Sequence, residues 1–70
     1  MFNRVNKFEL SGVVRNATED RAFLRVEGVE FVMPVNFEGA DKLVGKLVTF
    51  TGTLNQVNDT IVLNAEKVSD

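Results

Sequence analysis

The stretch Asn36-Phe37-Glu38-Gly39-Ala40-Asp41-Lys42-Leu43-Val44-Gly45 decides how this chain folds. It is where the two-residue alternation that dominates the rest of the sequence gives way. Asn36 is a residue type favoured at helix N-caps. Ala40, Leu43 and Val44 recur at helical spacing, and Gly45 is a typical helix terminator. The pattern predicts one short helix over 37–44, with strands on either side of it.

Upstream, Phe8 and Leu10 face one way in a strand over 7–14, with Lys7, Glu9 and Ser11 opposite. Gly12 interrupts it, as a bulge or sharp coil in a small closing barrel requires. A polar turn over 16–20 follows. In the next strand, over 21–27, Ala22, Leu24 and Val26 point to the core, while Arg21, Phe23, Arg25 and Glu27 point out. Gly28 makes a tight turn. A third strand over 29–35 aims Phe31, Met33 and Val35 inward. Pro34 has no N–H to give a ladder, so this strand ends or lies at an edge there.

Downstream, a strand over 46–54 turns Val48, Phe50 and Leu54 inward and Thr49, Thr51 and Thr53 outward, with Gly52 interrupting it. A hairpin turn over 55–59 leads to a last strand over 60–68, with Ile61, Leu63 and Ala65 on one face. Phe8, Phe31 and Phe50 are core by this alternation. The order is β-β-β-α-β-β, an all-β chain whose residues 1–70 form a single domain. A helix between the third and fourth of five strands is the arrangement of the OB fold, a five-stranded Greek-key barrel. An SH3-type barrel, the alternative, lacks a helix in that place.

Composition narrows the function classes. At 70 residues a single marginal core is expected, and oligomerisation would reinforce it. A hydrophobic fraction of 44% and a charged fraction of 26% suit a folded protein and argue against disorder. Apolar runs are too short to span a bilayer. The polar start and the lack of cysteine predict a cytoplasmic location. With no histidine and no cysteine, the usual general base, thiol nucleophile and soft metal ligands are missing. Glu19-Asp20 reads as a solvated turn, and the glycines form no phosphate loop. The expectation is a non-enzyme without cofactor or metal.

The opening Asn3-Arg4-Val5-Asn6-Lys7-Phe8-Glu9-Leu10-Ser11-Gly12 resembles the first strand of bacterial and phage single-stranded DNA-binding proteins. The later stretch is similar too: an aromatic at Phe37, a short helix ending in Gly45-Lys46, then Gly52-Thr53-Leu54. So is the closing apolar strand over 60–68. Primosomal single-strand-binding proteins share the same fold. The resemblance implies single-stranded DNA binding in replication, recombination or repair. The chain departs from the family in three ways. Its second hairpin is cut down to the turns at 16–20 and Gly28. It has no tryptophan or tyrosine. It is also expected to end its domain at Ser69-Asp70 without the family's acidic tail.

The net charge of −2 runs against phosphate binding, but the charges are unevenly spread. Residues 1–25 carry five basic residues, Arg4, Lys7, Arg15, Arg21 and Arg25, against three acids. Residues 26–70 carry three basic residues against seven acids. The sharpest candidate site is Arg21-Ala22-Phe23-Leu24-Arg25. At strand spacing it sets Arg21, Phe23 and Arg25 on one face of the second strand, where OB folds bind oligonucleotides. Phe23, joined by Phe2, would stack bases. Arg4, Lys7, Arg15, Arg21 and Arg25 would hold phosphates. The competing reading makes Phe23 an anchor in a subunit interface, the arginines mere solubilisers, and the barrel a protein-interaction or assembly module. Lys42 and Lys46 fit a structural role at the helix C-terminus. The expected partners are single-stranded DNA or RNA and further copies in a dimer or tetramer, with no membrane and no small-molecule substrate.

Overall fold

A computed structural model describes residues 7–69. Five strands form a closed barrel: β1 (Phe8–Ala17), β2 (Arg21–Val26), β3 (Val32–Asn36), β4 (Leu47–Val57) and β5 (Thr60–Ser69). Around the barrel the order is β1-β2-β3-β5-β4. All neighbours are antiparallel except β3 and β5, which run parallel. This is the OB arrangement expected from the pattern. Among the described residues no helix is long and apolar enough to cross a membrane.

β1 serves two partners, and this closes the barrel. Phe8 to Val13 pair with β4, and Gly12 to Ala17 pair with β2. The two pairings overlap at Gly12, which faces both Val26 and Val48, and at Val13, which faces both Arg25 and Leu47. A Cβ at Gly12 would lie 2.0 Å from the backbone oxygen of Arg25. Gly52 is in the same position against the backbone oxygen of Asn64, also at 2.0 Å. Glycine lets these strands approach and coil. The bulges sit elsewhere: Arg15 is the extra residue opposite β2, and Glu66 the extra residue on β5 beside Gly52. The Arg15 bulge restores pairing at Asn16 and Ala17, so β1 runs three residues beyond the expected end at 14.

Val14, Ala22, Leu24, Val35, Ala40, Phe50 and Leu63 are fully buried, with Met33 and Val48 nearly so. The Phe37 ring packs on Phe50, centroids 5.5 Å apart. Between β3 and β4 the chain makes only a four-residue 3-10 turn, Ala40–Leu43, not the α-helix expected over 37–44. Asn36 does not cap it. Asn36 is the last residue of β3, paired with Arg21 on one side and Asn64 on the other, and Gly39 takes the cap position at φ 85°. The segment is instead tied down by backbone bonds. The Gly39 and Ala40 N–H groups donate to the Glu19 oxygen at 2.7 and 3.2 Å, and Gly45 donates to Val14 at 2.8 Å.

Alternation misplaced three apolar residues and missed one. Phe31 precedes β3 and is 51% exposed, because the barrel wall starts at Val32. Leu54 sits at the rim, opposite Leu63, and Ile61 lies in the part of the β4–β5 hairpin beyond the β3–β5 pairing; both are exposed. Val62, on the side opposite Leu63, is buried outside the central core and lines a groove with Asn55 and Asn64. Pro34 does lie on an open side: β3 meets β5 only at Val35 and Asn36.

Gly12→Ala should lower stability by about 3 kcal/mol and the melting temperature by more than about 10 °C, since backbone must move to admit the methyl group. Thermal unfolding followed by circular dichroism reads this directly. An unchanged midpoint would mean that β1 and β2 can separate at no cost.

Candidate nucleic-acid interface

β2 fixes the site through its own alternation. Ala22 and Leu24 are fully buried, so Arg21, Phe23 and Arg25 stand on the outer surface. The neighbours follow from register. Phe23 lies between Asn16 of β1 and Pro34 of β3, Arg21 opposite Asn36, and Arg25 between Val13 and Val32. Phe23 is half-buried, with its sides supported and part of its ring in solvent.

Arg15, projected outward by its bulge, shares one hollow with Asn16, Phe23 and Val32. Arg21 shares the next with Thr18, Asp20, Phe23 and Asn36. Phe23 is therefore a wall common to both, with a guanidinium on each side. Asp20 lines the same hollow as Arg21 and accepts a hydrogen bond from the Thr18 hydroxyl at 3.1 Å.

The other expected residues are distributed differently. Arg25 is on the same face, but the hollow beside it also holds Glu27, Glu30, Val13, Val29 and Leu47. Lys7 is paired with Glu66 of β5, its ammonium 2.6 Å from Oε1, in a contact that reaches across β4. Arg4 and Phe2 lie outside the described residues. Among the described residues no three acidic side chains come together as metal ligands.

Sequence reasoning missed the asparagines. Arg21 Nε donates to Asn36 Oδ1 at 3.0 Å, and Asn36 Nδ2 donates to Asn64 Oδ1 at 2.9 Å. Asn36 resembles a helix cap by local rules, and Asn64 resembles one residue of a neutral outer face. They meet only because β3 and β5 pair in parallel, 28 residues apart in the chain. On the opposite wall the Ser11 and Thr49 hydroxyls, 2.7 Å apart, bridge β1 and β4.

Compared with protein-family models, curated proteins and solved structures, the chain matches none of them.

The Lys7–Glu66 pair is exposed at both ends, and such pairs contribute little. Lys7→Ala should leave the unfolding free energy within about 0.5 kcal/mol of the parent in a denaturant titration. A larger loss would show that this contact anchors the start of β1.

Proposed function

We propose that the chain binds single-stranded nucleic acid, without catalysis, across the outer surface of β1, β2 and β3. The observation that carries this reading is Phe23, a half-buried aromatic on an OB barrel with Arg15 on one side and Arg21 on the other. An extended strand laid over this surface stacks a base on Phe23 and sets flanking phosphates against the two guanidiniums. Arg25 extends the surface at one end. The net negative charge is no obstacle, because among the described residues only Asp20 brings a carboxylate into these two hollows. DNA is preferred to RNA on the resemblance to single-stranded DNA-binding proteins, which also points to replication, recombination or repair in the cytoplasm.

A second reading, a protein-interaction surface, is favoured by the other end of the same face. Leu47, Val13, Arg25 and Val32 form a row across β4, β1, β2 and β3. Leu47 is 56% exposed and the adjacent Val29 53%. Exposed apolar clusters of this kind mark contact surfaces. Arg25 beside Glu27 and Glu30 makes the patch complementary to itself, so a second copy suits it. The two readings are compatible, since a dimer or tetramer would link nucleic-acid sites and raise the overall affinity.

Fluorescence anisotropy of a labelled oligothymidine should show binding at low salt that weakens as salt rises. Two phosphate contacts correspond to a slope of about −1.4 in log K against log salt. Phe23→Ala should weaken binding about 5- to 150-fold while the circular dichroism spectrum is unchanged. No binding at low salt and high protein concentration would overturn the proposal. Sedimentation velocity tests the second reading. Leu47→Asp should dissociate an oligomer and leave Phe23-dependent binding per protomer in place. A chain that is monomeric at high concentration has no such interface.

A further inference from the structure

The relay of Arg21, Asn36 and Asn64 has a direction set by chemistry. Arginine only donates hydrogen bonds, so Asn36 must turn its oxygen toward Arg21 and its NH2 toward Asn64. Asn64 then uses its oxygen to accept, and its own NH2 is the free end of the chain. The three residues are aligned by register across β2, β3 and β5. A side-chain amide usually has two orientations available, but this one is fixed by a guanidinium two residues away in the relay.

The relay borders a groove between the end of β2–β3 and the β4–β5 hairpin, about 230 Å³ in volume. Its polar wall is Arg21, Asn36, Asn55, Asn58, Thr60 and Asn64; Val57 and Val62 add apolar surface. Among the described residues no carboxylate lines it. Its volume is below the range of about 300–1,000 Å³ typical of sites for drug-sized ligands, which leaves room for one flat ring. Arg21 also belongs to the hollow beside Phe23, so the groove continues the surface proposed above.

We infer that this groove reads a single pyrimidine base carrying a carbonyl next to a ring N–H, thymine or uracil, through the oriented NH2 of Asn64. The inference rests on the nucleic-acid reading and adds base preference to it. The fixed donor meets the carbonyl at ring position 4. The Asn55 carboxamide, which lines the same groove, accepts from the ring N–H. The apolar side chains cover the ring face. Cytosine is the informative competitor. It is also a single ring, but it presents an amino group and an unprotonated ring nitrogen at the corresponding positions. The amino group of cytosine would meet the Asn64 NH2, donor against donor, and sites that leave polar groups unpaired discriminate strongly.

The test compares labelled oligothymidine, oligodeoxyuridine and oligodeoxycytidine of equal length by anisotropy at one salt concentration. The thymine and uracil strands should bind about tenfold more tightly than the cytosine strand, the scale of one good base contact. Asn64→Asp keeps the shape and the bond from Asn36 but replaces the free donor by an acceptor. It should shift the thymine-to-cytosine ratio toward cytosine, and that ratio is insensitive to the uniform loss from an added negative charge. Asn64→Leu should abolish the preference and retain cytosine affinity. Equal binding of all three strands by the parent protein, or an unaltered ratio in Asn64→Asp with a native circular dichroism spectrum, overturns the base-reading groove and leaves the Phe23 surface intact. Failure of every strand to bind overturns both.

Discussion

Val35 against Leu63 and Asn36 against Asn64 are the two pairs that join β3 to β5 in parallel and turn a curled sheet into a closed barrel. Their inward side chains, Val35 and Leu63, are fully buried next to Phe50 and Leu24. The outward pair carries the carboxamide bond. One short seam thus has an apolar side that completes the core and a polar side that faces the groove. Parallel pairs require a long connection. Here that connection is the 3-10 turn and all of β4, so the seam forms only when the rest of the wall is in place.

The local pattern made the strands legible and the closure illegible. In β2 the strict alternation of Arg21, Ala22, Phe23, Leu24 and Arg25 identified the buried and exposed sides correctly, because the whole strand lies within the wall. Phe31, Leu54 and Ile61 obey the same periodicity where the wall has ended, and periodicity carries no information about where a sheet stops. Asn36 shows the competition directly. Its local preference for a helix cap lost to backbone pairing on both sides and to a side-chain bond with a residue far along the chain. The Arg15 bulge was equally invisible, yet it decides that Arg15 stands next to Phe23.

Charge in this molecule is meaningful only by region. The two hollows around Phe23 contain two guanidiniums and one carboxylate, whereas the Arg25 hollow has acids at its margin and the hairpin from Leu54 to Ala65 has Asp59 as its sole charge. A phosphate backbone, a second protein surface and a neutral base would each be served by a different part of the same barrel.

The nearly uncharged hairpin has a consequence for the unfolded and partly folded chain. Thr60-Ile61-Val62-Leu63-Asn64-Ala65 is six residues without charge or proline and rich in β-branched side chains. Such segments stack readily into cross-β zippers. In the native barrel β4 covers one side of β5, but β3 protects the other only at Leu63 and Asn64. If the seam opens, this whole edge becomes a template for other chains. The contact that shapes the groove is therefore also the guard against fibril formation, and the solubility of the protein at high concentration is tied to how seldom those two pairs come apart.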